Sequence, residues 1–303
     1  MGTAGASRFL LFWTTSSAFK LFPTMPALQL PVPLDLAATL LGGQSFCWNE
    51  TTPGEFAGWI RGHPVTLTVR HRQLVWDNPL LSSSTLQHYL SLDLQLDPLL
   101  GLTHARDPWL PQARETHPGL RPLREDPWEC LANFICSSLK QIVQIRQINE
   151  RLRRAFGGPT RDFPSPQRLA RAGEKGLRQC QLGYRAKHLA ATAKILAKQP
   201  GLLDIPESWS TERAAEHLEE LPGVGPKISR CVLLYAYARW DAFPVDVWVT
   251  RLLRQLYFPK RRKPLRLPDW EQWSEQQFGP ARGLAQLALF HWYRTRPGAR
   301  SRI

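Results

Sequence analysis

The spacing of apolar residues changes once along this chain, and that change fixes the kind of fold open to it. Between Leu34 and about Asp97 apolar and polar positions alternate, as in Phe56 to Ile60, Val65 to Val69 and Leu74 to Trp76, with Gly and Pro turns between the stretches. A period of two belongs to half-buried strands, so this half predicts a twisted antiparallel sheet. Leu86, Tyr89, Leu90 and Leu92 predict a short helix that closes it. After a Pro-rich connection over 108–122, Asp126-Pro127 places an acid and a proline at a helix start, and Leu131, Phe134 and Ile135 recur at helical spacing. Helices are predicted over 127–138, 140–155, 165–172, 184–199, 211–219, 227–238, 246–257 and 280–293. The expected fold is α+β, with an N-terminal sheet domain over 25–118 packed on a mostly α-helical domain over 119–303.

The chain has 303 residues, enough for two packed domains, and 39 Lys and Arg against 25 Asp and Glu leave it at +14. Such an excess favours a polyanionic partner, nucleic acid before anionic membrane. The densest basic run, Lys260-Arg261-Arg262-Lys263, reads as a solvated loop ahead of a phosphate contact. Cys47, Cys130, Cys136, Cys180 and Cys231 are scattered and odd in number, with no CxxC, which fits a reducing compartment and signals neither zinc nor an iron-sulfur cluster. No catalytic metal is expected. No apolar run approaches the ~20 residues of a membrane-spanning helix. Residues 1–24 carry Arg8, Lys20 and no acid, superficially like a mitochondrial transit peptide. Because Met25 opens the coherent domain sequence, they are read as a disordered leader or a mis-assigned start.

The most informative stretch is Leu221-Pro222-Gly223-Val224-Gly225-Pro226-Lys227, between two amphipathic segments. Glycines in one tight turn expose backbone N–H groups, and with the following helix N-terminus they make a seat for a phosphate. A nucleotide P-loop needs four residues between its glycines, and here there is one. The hairpin alone reads as a DNA-binding turn or as an ordinary helix–helix turn with a solvated Lys227. Nineteen residues on, Phe243-Pro244-Val245-Asp246 places Asp246 where a helix N-cap belongs, which by itself would explain an aspartate. The pair is far more specific, and hairpin, lysine, helix, Pro-containing loop and aspartate together resemble the signature of the helix-hairpin-helix, Gly/Pro, Asp (HhH-GPD) DNA glycosylases. Breaking an N-glycosidic bond develops positive charge on the sugar, which Asp246 would stabilise. A neutral Lys227 amine would attack C1′ and form a Schiff base that permits β-elimination.

Four further segments narrow the resemblance to the 8-oxoguanine DNA glycosylases, over nearly the whole chain from Leu34. Gly42-Gly43-Gln44-Ser45-Phe46-Cys47-Trp48 resembles that family's GQSFRW segment, and Asp126 to Ser138 resembles its DPxECLxxFICSS helix. Gly183-Tyr184-Arg185-Ala186 and Ala285-Gln286 to Phe290 are similar to two others. Lys227 and Cys231 are four apart and share a helix face, as do Gln286 and Phe290. The bland alternative makes Phe290 core and Gln286 surface.

The resemblance implies a TATA-binding-protein-like sheet domain and a bifunctional glycosylase and AP lyase acting on 8-oxoguanine in duplex DNA, as a monomer. It also places the protein with the DNA, in a nucleus or a bacterial nucleoid. Cys231 and Phe290 would sandwich the flipped base and Gln286 would read its Watson–Crick edge. The Gly43 carbonyl would accept the N7 hydrogen that 8-oxoguanine has and guanine lacks. Gly223 and Gly225 would seat a phosphate, and the hairpin 221–226 would hold a structural monovalent cation. Tyr184 would wedge into the gap left by the base and Arg185 would contact the orphaned cytosine.

The chain departs from the family at three points. Leu139 and Gln144 stand where an asparagine and an arginine read the opposite cytosine, so a weakened preference for cytosine is expected. Trp248 replaces a histidine that contacts phosphate, while Lys140 reads either as charge supplied nearby or as a solvated side chain. Among rivals, alkylated-base glycosylases of the superfamily generally lack the lysine, and its adenine and oxidised-pyrimidine enzymes carry a cysteine cluster absent after Cys231. A non-catalytic DNA-binding module would not require both Lys227 and Asp246. A zinc deaminase is suggested by His217-Leu218-Glu219 alone, without the PCxxC its metal needs.

Overall fold

The computed structural model describes residues 25–104, 107–261, 263 and 265–296, so the leader 1–24 and Arg262 of the basic run lie outside the described residues. The chain opens with β1 (Ala27–Gln29), helix α1 (Leu36–Leu41) and strands β2 (Asn49–Thr52), β3 (Glu55–Ile60), β4 (His63–Arg70) and β5 (Gln73–Trp76). Three short helices follow, α2 (Ser83–Tyr89), α3 (Leu96–His104) and α4 (Leu110–Thr116). The next five are α5 (Pro127–Ser137), α6 (Ile142–Phe156), α7 (Pro166–Gln179), α8 (Arg185–Lys198) and α9 (Thr211–Glu219). The last four are α10 (Pro226–Ala236), α11 (Val247–Leu256), α12 (Leu267–Phe278) and α13 (Arg282–Thr295). No helix among the described residues is long and apolar enough to cross a membrane.

The five strands form one antiparallel sheet in the order β1-β5-β4-β3-β2. Its inner face is the alternating set the sequence predicts: Phe56, Gly58 and Ile60 on β3, Val65 and Leu67 on β4, Leu74 and Trp76 on β5. Gly58 makes room for the indole of Trp48, since a Cβ there would stand 2.4 Å from that ring. The helical core gathers α5, α6, α8, α9 and α10 around Leu131, Ile148, Leu189 and Leu233. Each such large apolar side chain contributes roughly 1.5–3 kcal/mol on burial.

A buried polar relay joins the two parts. The Trp48 indole donates to the Tyr89 hydroxyl at 2.9 Å, Tyr89 donates to Glu125 Oε1 at 2.6 Å, and the Glu125 N–H donates to the Tyr235 carbonyl on α10 at 2.7 Å. Burial pushes the Glu125 carboxyl up to about 8, with Glu129 pushing the same way. Beside it the fully buried Arg153 of α6 pairs with Glu129 and lies 4.5 Å from the Trp59 ring centroid on β3.

The helices differ from expectation in places, and α12 stands where none was predicted. The connection over 108–122 contains α4, because Pro111 sits in the first turn, where its missing N–H is no loss, and Asp107 Oδ1 accepts from the Trp109 and Leu110 amides. The helix predicted to stop at 172 meets Gly173 in a left-handed conformation (φ 62°), kinks, and resumes to Gln179. Packing also crosses the position 118/119. Leu100 of α3 and Leu110 and Ala113 of α4 are buried in a third core with Leu252, Trp270, Leu284 and Trp292 of α11–α13.

Candidate active site

The hairpin between α9 and α10 depends on one of its glycines more than the other. Gly223 has φ +83°, and a Cβ there would stand 2.5 Å from the His188 Cβ, so conformation and contact both demand glycine. Gly225 is extended, and nothing lies within 4 Å of where its Cβ would be. As N-cap of α10 it leaves the helix start uncovered, which suits close approach of a phosphate.

Lys227 lies half-buried in the first turn of α10. Its Nζ donates to Ser137 Oγ at 3.1 Å and sits 4.8 Å from the Phe134 ring centroid, both on α5. One turn on, Cys231 is buried, and burial pushes its thiol up to about 11, with the charge of Asp246 raising it and Lys227 opposing. The thiol is therefore neutral, and lysine and aspartate both act on it. Asp246 is the N-cap of α11, where its Oδ1 accepts from the Val249 N–H at 2.8 Å. The capping role expected from sequence is real, and the same carboxylate faces a cavity.

That cavity encloses about 840 Å³ and is lined by Gly43, Lys227, Cys231, Asp246, Gln286 and Phe290, with Lys140 and Trp248 on its wall. Such a volume is in the usual range for a bound small molecule, roughly 300–1,000 Å³. Gly43 enters from the sheet side just past the end of α1, whose start Asp35 caps by accepting from the Ala38 N–H at 2.9 Å. Gly43 has φ +101°, and a Cβ there would come 2.7 Å from Ile142 Cδ1. Gln44 fastens this turn by donating to the Arg121 carbonyl at 2.9 Å and accepting from the Leu123 N–H at 3.0 Å.

On α13 the bland alternative is reversed, for Gln286 is buried and Phe290 is partly exposed. Gln286 Oε1 has no hydrogen-bond partner among the described residues, a costly state unless a ligand donates to it. His291 is also buried on the cavity wall, and its Nδ1 is likewise unpartnered. Burial, with help from His117, lowers it to about 3, so this imidazole is neutral.

The residues expected to meet the duplex are less uniform. Tyr184 is half exposed at the start of α8, as a wedge requires. Arg185 differs from expectation: it is 5% exposed, its Nε donates to the Ser138 carbonyl at 2.7 Å, and its guanidinium lies 4.4 Å from the Tyr184 ring centroid. The unsatisfied carbonyls at the end of α5 hold it there. Leu139 is 86% exposed in a left-handed conformation (φ 54°). Gln144 accepts from the Gln141 N–H at 3.0 Å and so caps α6. Trp248 carries the Arg251 guanidinium 5.3 Å from its ring centroid. Sequence reasoning missed Ser137, Phe134, Ile142 and His291 as site residues. Ser137 is 90 positions from Lys227, so no local spacing could reveal their contact.

Residues 27–131 match the family described as 8-oxoguanine DNA glycosylase, N-terminal domain, and 132–269 match the HhH-GPD superfamily base excision DNA repair proteins. An N-glycosylase/DNA lyase from Arabidopsis thaliana is 30% identical over 245 residues, which span 75% of this chain and 67% of that protein. The 8-oxoguanine glycosylase/lyase of Clostridium acetobutylicum, solved with double-stranded DNA containing cytosine opposite 8-oxoguanine, superposes with a TM-score of 0.78 at 26% identity, covering 87% of this chain and 92% of that one. The 3-methyladenine DNA glycosylase from Archaeoglobus fulgidus, at 20% identity and a TM-score of 0.69 over 89% of this chain and 99% of that one, shares the fold. With matched domains on both sides of residue 131, this chain belongs to the 8-oxoguanine DNA glycosylase family within the HhH-GPD superfamily.

Proposed function

We propose that this protein excises 8-oxoguanine from duplex DNA and then cleaves the strand at the abasic sugar, as a bifunctional N-glycosylase and AP lyase. The observation that carries this reading is the convergence of Lys227 and Asp246 on one cavity walled by a neutral thiol, an aromatic ring and an unpartnered amide. The relatives' names, N-glycosylase/DNA lyase and 8-oxoguanine glycosylase/lyase, support the same activity.

The damaged nucleotide swings out of the duplex into the cavity, with the base between Cys231 and Phe290 and the Gln286 amide on its Watson–Crick edge. The Gly43 carbonyl accepts the N7 hydrogen of 8-oxoguanine, whereas guanine would turn a lone pair toward it. Asp246 stabilises the positive charge that grows on the sugar as the glycosidic electrons leave with the base, which takes up a proton. The Lys227 amine, neutral when it attacks, bonds to C1′, and as the C1′–O4′ bond breaks O4′ takes up the proton the amine gives off and leaves as a hydroxyl. The resulting iminium acidifies C2′, and loss of that proton expels the 3′ phosphate. Ser137 aims the amine. Tyr184 fills the gap in the stack, Gly223 and Gly225 bring backbone to a phosphate, and Lys140 adds charge. The segment 221–226 supplies main-chain carbonyls and no carboxylate, which suits a structural monovalent cation rather than a divalent one.

Borohydride reduction on duplex DNA containing 8-oxoguanine tests the assignment. It should trap a covalent complex with the wild-type chain and none with Lys227→Gln. A complex that persists in the variant overturns the nucleophile.

A further inference from the structure

A second concavity, of about 600 Å³, opens beside the active site and is lined by Val247, Thr250, Arg251, Arg254, Phe258 and Arg261. Val247, Thr250, Arg251 and Arg254 recur at spacings of three, four and seven, so they form one face of α11 that starts at the residue after Asp246. The two hollows meet at the first turn of this helix, where Val247 belongs to one and Trp248 to the other.

Arg251 here is partly buried, and Arg254 and Arg261 are exposed. Arg124, Arg153, Arg230 and Arg282 each meet a carboxylate. Arg251, Arg254 and Arg261 form no ion pair among the described residues. Asp269, the acid that feels the charge of Arg261, is already held by Arg266. Arg251 is only partly exposed and its guanidinium lies over the Trp248 ring, which fixes the direction of its remaining N–H donors. Phe258 lines the hollow with an apolar surface, and contact with a low-dielectric wall strengthens charge-assisted bonds to an incoming anion.

We propose that this cleft binds backbone phosphates of the duplex flanking the flipped nucleotide, carrying the DNA-binding surface along α11 beyond the catalytic cavity. The inference rests on duplex DNA being the partner, as read above, and goes beyond the residues that act on the damaged base. Planar guanidiniums match phosphate oxygens two by two, and two on one face of α11 with a third from the segment beyond its end follow a strand rather than a single ion. Such contacts are independent of base sequence and release counterions.

The test is equilibrium binding of the full chain to an undamaged duplex across a salt series. Each phosphate contact contributes about 0.9 to the slope of log K against log salt, so the triple variant Arg251→Ala, Arg254→Ala, Arg261→Ala should flatten the slope by about 2.7. The matching triple Lys variant should keep the wild-type slope. Affinity lost equally at every salt concentration, with the slope intact, overturns the proposal, as does a Lys variant as flat as the Ala one. Because the duplex is undamaged, the outcome is independent of 8-oxoguanine excision. Absent excision with a flattened slope would sink the enzyme and leave the cleft.

Discussion

The carboxylate of Asp246 accepts a hydrogen bond from the Val249 N–H at 2.8 Å, so it caps α11 while it faces the cavity. Asparagine caps a helix about as well as aspartate but carries no charge. Asp246→Asn should therefore leave the urea midpoint within about 0.5 kcal/mol of wild type while slowing single-turnover base excision by roughly 10²–10³-fold. Asp246→Ala should lose excision equally and about 1 kcal/mol of stability besides. An Asn variant that excises at the wild-type rate would make the cap its whole role. At this scale the sequence shows which residues share a helix face but not how deep each lies. Spacing put Gln286 and Phe290 side by side, yet which is buried depends on how α13 is rotated against α4 and on the approach of the Gly43 turn. Arg185 likewise stands where its motif predicts, but the free carbonyl of Ser138, distant in sequence, decides its orientation.

The β4–β5 hairpin turns through His71 and Arg72, with φ of 49° and 61°. Two-residue turns with both central residues left-handed favour Asn-Gly, because side chains with a Cβ are strained there. The double change His71→Asn, Arg72→Gly should raise stability by about 1 kcal/mol, read as a higher midpoint in urea. A lower midpoint would mean that the two side chains make contacts outweighing the relief. Strands β3 to β5 were legible because their alternation is uninterrupted. β2, whose Asn49-Glu50-Thr51-Thr52 is exposed throughout, has no buried face to give it a pattern. Helices α4 and α12 were hidden by Pro111 and Pro268, which suggest a break until their place in the first turn is known. The hairpin and α10 needed no such context, since Gly223, Gly225 and Lys227 carry their signal locally.

Across the whole molecule, Glu125 sits in the relay that joins sheet to helices, and burial raises its carboxyl from 4.5 to about 8. The folded state thus holds a proton that the unfolded chain releases above about 4.5, so this contribution is complete below that pH and fades as pH rises toward 8. Glu125→Gln, neutral in both states, should flatten the dependence of the urea midpoint on pH between those limits. An unchanged slope would show that another group carries the titration. The order of a sheet half and a helical half was readable from periodicity, but which residues pack together was not, since α3 and α4 precede the predicted boundary and pack beyond it. Leu110 and Ala113 complete the interior walled by α11–α13. The halves are consequently no interchangeable cassettes: a graft that exchanged the first 118 residues with a relative's would carry off a piece of the recipient's own filling and leave a hole behind α13.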